Sequence, residues 1–393
     1  MNAPCRAPGG HPNYRQHGDL DLDAFAALCE APVDAGAYPH CAEVRDRVVI
    51  YAADTLHRAQ ASDPRPLMSE IQHLLRHGPG VVVVRQAFTD PALVDRHSAV
   101  FEAILRSEAQ QGGGADHFAR AGANGRIWNA LQKAALQSPQ SFIEYYSNPL
   151  LGFLAEAWLG PHYTVTAQVN VVRPGGQAQQ PHRDYHLGFR TVDELEHYPL
   201  DVHRMSQYLT LQGAVAHTDM PVETGPTLLL PGSQRYDLGY LAWRDPAFIA
   251  YFNEHAVQLP LRKGDLLFFN PALFHAAGTN RTSDCHRMAN LLQISSAFGK
   301  PMEALDHDRM VLALYPALLQ RLQENRLSAR DQAAVVATAA QGYAFPTNLD
   351  SDPPLQGLAP ATGQDVLHRA LDERWSSERF AEAVEAMRCK RQA

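Results

Sequence analysis

Apolar and polar positions follow two different periods in the first part of the chain. Segments 68–76 and 91–108 carry apolar residues at helical spacing, and 132–159 is also predicted to be mainly helical. Segment 81–84 instead has four valines in succession, which is typical of a buried strand. The glycines at 112–114 predict a loop. Helices therefore lead into, and surround, at least one buried strand.

From about residue 163 the segments become short, apolar and separated by Gly and Pro. Eight of them are predicted to be strands, near 163–173, 185–189, 207–216, 227–230, 256–261, 265–269, 273–277 and 287–297. Turn sequences such as Pro174-Gly-Gly and Lys263-Gly-Asp separate them. Short strands with regular turns are typical of a closed or double-sheet β-structure such as a jelly roll.

A second helical region follows the β-rich one. It begins at about residue 301 and is interrupted by a Pro- and Gly-rich stretch at 345–363 before a last helix at about 364–387. We therefore predict an α+β fold with a jelly-roll core and α-helical N- and C-terminal flanks. The expected parts are a peripheral N-terminal cap (1–60), the β-core with its leading helices (61–300) and a helical C-terminal extension packed on the same unit (301–393).

Composition narrows the classes of function. Of 393 residues, 45% are hydrophobic and 19% charged, which supplies a large core and excludes a disordered chain. The net charge of −8 argues against nucleic acid as a partner, because phosphates require a basic face. We expect no membrane span and no signal peptide, since no apolar run approaches ~18 residues. The 5 scattered cysteines predict a reducing, cytoplasmic location.

His-x-Asp pairs are the candidate metal-ligating motif. The pattern occurs at three places, His17/Asp19, His182/Asp184 and His217/Asp219. With 19 histidines in the chain, about one such pair is expected by chance, so a pair alone is a weak signal. It becomes informative with a distant third ligand, because two histidines and one carboxylate on one face of an octahedral iron leave three positions open.

Position along the chain favours the middle pair. The first pair lies in a polar segment with no strand, and the third ends a strand. His182 and Asp184 follow a long strand, and several strand-like segments separate them from His275, which a jelly roll can fold back beside them. Arg287 then begins the next apolar strand, where a buried guanidinium needs a carboxylate from the protein or from a dicarboxylate co-substrate.

Several segments together resemble the phytanoyl-CoA dioxygenase family of iron(II)/2-oxoglutarate oxygenases. They run from about residue 78 to 293 and comprise Gly78-Pro-Gly-Val-Val-Val-Val, Pro181-His-Arg-Asp, Glu223-Thr-Gly-Pro-Thr-Leu-Leu-Leu-Pro-Gly-Ser-Gln-Arg, His275-Ala-Ala-Gly-Thr-Asn-Arg and Arg287. The resemblance implies a double-stranded β-helix, a variant of the jelly roll. It implies that His182, Asp184 and His275 bind iron(II), and that Arg287 holds the distal carboxylate of 2-oxoglutarate, with O₂ as second co-substrate.

Two positions depart from the family pattern. The family arginine usually follows the last histidine by about eleven residues, whereas Arg287 follows His275 by twelve, so the turn needs one extra residue. Arg281 is nearer but lies in the turn itself. The family also often has a serine two residues after that histidine, where this chain has Ala277.

The implied activity is that of a 2-oxoglutarate-dependent non-haem iron dioxygenase, which hydroxylates a small organic substrate and releases succinate and CO₂. Strand alternation places Gln168 and Asn170 on one face, where they would contact co-substrate or substrate or form a buried side-chain network. We assign Gln168 to the co-substrate. The candidate substrate contacts are Trp128, Asn129, Asn170 and Tyr185.

Two other classes of function remain open at this point. One is a cupin-like metal-dependent enzyme that does not use 2-oxoglutarate, in which Arg287 would have no role. The other is a non-catalytic binding protein dominated by its helices. The apolar faces of these helices, such as Val311, Leu314 and Leu318, would serve either the core or a dimer contact, so we expect a monomer or a homodimer.

Overall fold

The computed structural model describes residues 13–111, 124–184, 186–345 and 348–392. Its strands are β1 (Glu43–Arg45), β2 (Val48–Ala52), β3 (Val81–Arg85), β4 (Asn124–Ile127), β5 (Thr164–Val172), β6 (Thr210–Ala216), β7 (Leu228–Leu229), β8 (Leu266–Phe269), β9 (His275–Ala276) and β10 (Arg287–Ser295). Its α-helices are α1 (Leu22–Glu30), α2 (Ala53–Ala61), α3 (Arg65–Arg76), α4 (Pro91–Gln110), α5 (Ala130–Gln137), α6 (Pro139–Tyr146), α7 (Pro149–Leu159), α8 (Val192–Glu196), α9 (Leu200–Ser206), α10 (Gly239–Ala242), α11 (Pro246–His255), α12 (His307–Gln323), α13 (Ala329–Ala339), α14 (Gly363–Asp372) and α15 (Ser377–Arg391).

A large, mostly antiparallel sheet dominates this mixed α/β fold. Eight strands pair in the order β1-β2-β3-β8-β6-β10-β5-β4, and only β2 and β3 run parallel. A second, short sheet consists of β7 and β9. Single bridges extend it on both sides, from His182 to His275 and from Leu229 to Val257. The two sheets carry the residues that form the site described below.

The large sheet is buried on both faces. Along β2 and β3, side chains such as Tyr51 and Val82 pack into a core shared with the helices, whereas their neighbours Ile50 and Val83 face a second apolar cluster on the opposite side. This follows from the two-residue period of a strand, and explains why the sequence shows continuous apolar runs there instead of alternation. Each such side chain contributes roughly 1.5–3 kcal/mol through burial.

The N-terminal region is not a peripheral cap throughout. β2 lies beside β3 in the large sheet, with Ile50 opposite Val83, and β1 pairs with β2 at the sheet edge. The predicted boundary at residue 60 therefore divides this sheet. The physical reason is the apolar run at 48–51, which is fully buried and needs a partner strand.

Two of the eight predicted strands do not form. Segment 186–189 is a series of turns in which His186 has a φ of 50°, and Tyr185 itself lies outside the described residues. Segment 256–261 contributes only single bridges at Val257 and Leu261. The predicted glycine loop at 112–114 also lies outside the described residues.

The C-terminal helices pack on the same core as the sheet. Val311, Leu314 and Leu318 of α12 are buried in the helical core, so their apolar face serves packing within the chain. The predicted last helix is divided into α14 and α15. Throughout the described part of the chain, no helix combines the length and the apolar character needed to cross a bilayer.

Candidate metal centre

Three predicted ligands come together where the short sheet meets the loop that follows β5. The backbone of His182 pairs with that of His275 in β9, with N···O distances of 3.0 and 3.1 Å. Asp184 is fixed two residues later, where its backbone N–H donates to Pro271 O at 3.1 Å. As a result, one ligand atom from each of the three side chains lies within 4.8 Å of the others.

Both imidazoles are oriented by their Nδ1 atoms. His182 Nδ1 lies 2.8 Å from the carbonyl oxygen of Gln180, and His275 Nδ1 lies 2.9 Å from that of Leu273. Since a carbonyl oxygen only accepts, Nδ1 must donate, which leaves the lone pair on Nε2. Each Nε2 faces Oδ2 of Asp184, at 3.7 Å from His182 and 3.4 Å from His275. Such backbone contacts fix the tautomer of metal-binding histidines.

The charges at the centre suit a cation. Burial raises the pKa of the Asp184 carboxyl, but the adjacent His182 and His275 and a hydrogen bond from Gln212 outweigh it, so that the pKa falls to about 2. Burial lowers the pKa of His182. The carboxylate is therefore anionic and His182 neutral at pH 7, which are the protonation states that bind metal.

This donor set fits iron. Two imidazole nitrogens and one carboxylate are the ligands of the non-haem iron(II) oxygenases that keep three positions open. The open side is a cavity of about 600 Å³ bounded by β5, β6, β8 and β10 on one side and by the short sheet on the other. A volume of this size accommodates small-molecule ligands.

Arg287 is a buried cation in the wall of this cavity. It begins β10 opposite Val172, is 6% exposed, and its Nε has no hydrogen-bond partner among the described residues. Across the described ranges, no carboxylate forms an ion pair with it, and burial lowers its pKa to about 10. Arg281, in contrast, is exposed in the preceding turn. Arg287 therefore fits a carboxylate that enters the cavity.

The other predicted contacts divide into two groups. Gln168 and Asn170, which strand alternation places on one face of β5, both line the cavity, and Gln168 Nε2 lies 3.6 Å from Met302 Sδ. Trp128 and Asn129 do not belong to the cavity lining. β4 ends at Ile127 and turns away there, with Asn129 in a left-handed conformation.

The segment around β4 nevertheless reaches the cavity. The alternation of β4 directs Arg126 into it, and its guanidinium stacks on the Trp128 ring at 4.8 Å. The backbone N–H of Asn129 instead donates to Glu303 Oε1 at 2.6 Å. Arg126 is therefore the described residue of β4 that lines the cavity, and the substrate contacts of Trp128 and Asn129 stay predictions.

The histidines of the two other His-x-Asp pairs interact with other protein side chains. Both ring nitrogens of His217 are engaged, with Ser98 Oγ and Tyr145 OH at 2.8 Å each. His17 is exposed, and its Nε2 lies 3.2 Å from Asp245 Oδ2. Neither histidine takes part in a cluster of three metal-ligating side chains among the residues that the structure describes.

One side chain at the centre was missed by sequence reasoning. Gln212 of β6 lines the cavity and donates through Nε2 to Asp184 Oδ2 at 2.6 Å. A glutamine within an apolar strand carries no signal of its own. The strand's alternation identifies the face of Gln212, but its partner is visible only in three dimensions.

Comparison with known proteins agrees with this site. The family model "Phytanoyl-CoA dioxygenase (PhyH)" matches residues 77–289. The chain is 30% identical to "Dioxygenase cdmD" of Talaromyces verruculosus over 38% of this chain and 44% of that protein. It is 24% identical to "Dioxygenase olcK" of Penicillium canescens over 70% of this chain and 86% of that protein. The chain spans about half the length of the first curated relatives it matches.

Solved structures are also similar to this chain. One is the non-heme alpha ketoglutarate dependent carbocyclase SnoK from nogalamycin biosynthesis, with 20% identity, a TM-score of 0.44, and coverage of 60% of this chain and 92% of that one. The family model spans more than half of this chain and includes all three candidate ligands and Arg287. The predicted family is thereby confirmed: the chain belongs to the phytanoyl-CoA dioxygenase family, whose cofactor and co-substrate are iron and 2-oxoglutarate.

Proposed function

We propose that the chain is an iron(II)- and 2-oxoglutarate-dependent dioxygenase that hydroxylates a small organic substrate. One observation carries the proposal. A cluster of two histidines and an aspartate shares its cavity with Arg287, a buried guanidinium that forms no ion pair with any described carboxylate. A metal site alone suits many reactions, whereas a metal site beside an unpaired cation suits a dicarboxylate co-substrate.

The ligand side chains would hold iron through Nε2 of His182, Nε2 of His275 and the carboxylate of Asp184. Iron bound there would supply O₂ activation coupled to decarboxylation of 2-oxoglutarate, with release of succinate and CO₂ and oxidation of a substrate C–H bond. The protein's contribution is orientation. The carbonyls of Gln180 and Leu273 keep both Nε2 lone pairs directed at one point.

Arg287 and Gln168 would position the co-substrate. Arg287 would pair with the distal carboxylate through its planar guanidinium, and Gln168 would donate an amide hydrogen from the neighbouring strand β5. Both lie on the sheet face that carries the cavity, so the co-substrate would lie along that face. The apolar lining from β8, Leu267 and Phe269, would exclude water around it.

The double-stranded β-helix is part of this proposal. Its support is the arrangement of a large sheet and a short one, the latter extended by bridges at His182 and Val257, on opposite sides of the cavity. In such a fold the first ligands and the last one come from distant parts of the chain and meet between the sheets.

The substrate is proposed only by class. A small organic molecule fits a cavity of about 600 Å³ that is shared with 2-oxoglutarate, and Asn170 is the proposed substrate contact that lines it. The sequence contains no glycine-rich phosphate loop of the kind that a coenzyme A ester would call for. A cytoplasmic location stays the expectation from the scattered cysteines.

Metal binding tests the proposal. We expect about one Fe(II) per chain in the wild type, and loss of binding in His182→Ala, Asp184→Ala and His275→Ala. The matched control is His217→Ala, which removes a buried histidine of the same motif whose nitrogens are engaged elsewhere. Retention of iron in His182→Ala with loss in His217→Ala would contradict the assignment.

A second measurement separates this function from a cupin-like enzyme that does not use 2-oxoglutarate. We expect 2-oxoglutarate to bind the metal-loaded protein, since Arg287 would otherwise keep a buried charge without a function. Metal binding through the three ligands without any affinity for 2-oxoglutarate would favour the cupin-like enzyme.

A further inference from the structure

Gln212 lies in the middle of β6, a strand paired on both sides within the large sheet. It is opposite Phe269 of β8 and Gln293 of β10. The neighbouring Leu211 packs into the helical core, whereas Gln212 and Ala214 line the cavity. The backbone of Gln212 is thus fixed by two neighbouring strands, and its amide is directed toward the metal centre.

Among the described residues, the amide group of Gln212 makes one hydrogen bond, and its partner is a candidate metal ligand. Nε2 donates to Asp184 Oδ2 at 2.6 Å, and the residue is 3% exposed. A carboxylate accepts and does not donate, so this contact also determines which amide atom is the nitrogen. Oε1 on the other side is buried and has no hydrogen-bond partner among the described residues. Hydrogen bonding to Asp184 is therefore what orients this amide.

The Asp184 carboxylate has few polar contacts, and the hydrogen bond from Gln212 is one of them. Oδ2 is the oxygen that lies 3.4 Å from His275 Nε2 and 3.7 Å from His182 Nε2. Within the described ranges, Gln212 is the only side chain other than these two histidines that contacts the carboxylate through a polar atom. Apart from the histidines, Gln212 is therefore the described side chain whose hydrogen bond restrains rotation of the Asp184 carboxylate.

We propose that Gln212 is a positioning residue that holds the Asp184 carboxylate in the orientation that binds the metal. The inference rests on the proposed function, because it requires a metal at the cluster. Hydrogen bonds to ligating carboxylates commonly support metal affinity. Without the bond, the carboxylate rotates about its side-chain torsions, and metal binding must fix those torsions at a cost in conformational entropy.

The chain offers a matched control for this proposal. Gln293 lies directly opposite Gln212, lines the same cavity and is also buried, but among the described residues it forms no hydrogen bond with any of the three ligands. Gln212→Met and Gln293→Met make the same chemical change on adjacent strands. Gln212→Asn retains an amide but is one methylene too short to reach Asp184. This variant therefore tests the hydrogen bond to Asp184 separately from the polarity of the side chain.

The experiment is an anaerobic titration of each purified variant with Fe(II) and with Co(II), whose absorption spectrum reports the ligand arrangement. We expect Gln212→Met and Gln212→Asn to bind both metals about 10- to 100-fold more weakly than the wild type. We expect an altered Co(II) spectrum in both. Gln293→Met should retain the wild-type affinity and spectrum. Circular dichroism checks the fold of each variant, and Gln212→Asn carries the test if Gln212→Met does not fold.

The outcomes separate this proposal from the proposed function. Wild-type affinity in both Gln212 variants, or an equal loss in Gln293→Met, would overturn the positioning role while leaving the metal site intact. Absence of metal binding in the wild type would instead contradict the proposed function itself.

Discussion

Replacing Arg287 tests how the protein would hold 2-oxoglutarate. The guanidinium is 6% exposed, lines the cavity and has no ion-pair partner among the described carboxylates, so the wild-type protein carries a buried charge that only a ligand would neutralise. Arg287→Met keeps the length of the side chain and removes the charge. We expect this variant to lose affinity for 2-oxoglutarate and to gain stability in the absence of ligand.

The magnitudes follow from burial. Burial lowers the pKa of Arg287 from 12.5 to about 10, which corresponds to a desolvation cost of ~3 kcal/mol for the charged form. Part of that cost should appear as a higher melting temperature of Arg287→Met. Losing one partner of a buried ion pair costs roughly 2–5 kcal/mol, so the dissociation constant for 2-oxoglutarate should rise at least about 30-fold.

The assay is a pair of thermal melts, with and without saturating 2-oxoglutarate and metal, together with a 2-oxoglutarate titration. The wild type should gain stability from the ligand, because a ligand that binds only the folded state stabilises it. Arg287→Met should show little gain, and Arg287→Lys only partial recovery because lysine lacks the planar fork.

Arg281→Ala is the control, since that side chain is exposed in the turn. Equal 2-oxoglutarate affinity in the wild type and Arg287→Met would refute the reasoning. A selective loss in Arg281→Ala would move the role to the turn.

Two further predictions concern stability. Burial lowers the pKa of His217 to about 3 and that of His97 well below 6.5, so below pH ~6.5 the unfolded chain binds protons that the folded chain does not. The free energy of unfolding should therefore fall as the pH decreases from 6.5 toward 3, by up to ~1.4 kcal/mol per pH unit for His217, and His97 should add a loss in the same direction. Urea denaturation at pH 7 and 5 measures this decrease in the free energy of unfolding, and the decrease should be smaller in His217→Gln. An equal free energy of unfolding at both pH values would contradict the prediction. Gly239→Ala would place a Cβ 1.8 Å from Cζ of the buried Arg183, so the variant should lose about 1–3 kcal/mol of stability. Gly125→Ala should not, because its Cβ meets no heavy atom of the described residues closer than 3.6 Å.

The metal centre could be predicted because its chemistry restricts the residue types. His182 and Asp184 are close in sequence, and only a histidine late in the β-region can complete the set. The structure brings these three together through the backbone bridge between His182 and His275. All three residues lie within the region that the family model matches.

The edge of the large sheet could not be predicted with the same method. β2 and β3 are parallel neighbours separated by α2 and α3, so their pairing depends on a distant partner and not on local turn signals. The apolar run at 48–51 has the same character as the run at 81–84, and this similarity is the signal that could have indicated a strand. The residues next to each run contain no signal that the two runs pair as neighbouring strands.

Side-chain direction near the cavity depends on where each strand ends. Gln168 and Asn170 face inward because β5 continues without a break through both. Trp128 follows the end of β4, and so its direction is set by the turn instead of by alternation, whereas Arg126 within the strand faces the cavity. Gln212 escaped prediction because nothing in its own strand specifies Asp184 as its partner.

Succinate formation from 2-oxoglutarate tests the central claim most directly. Purified protein with Fe(II), 2-oxoglutarate and O₂ but no added substrate should release succinate slowly, and release should stop when Fe(II) is chelated or in Asp184→Ala. A wild-type protein that binds iron at the three ligands yet forms no succinate, alone or with a panel of small organic substrates, would contradict the account.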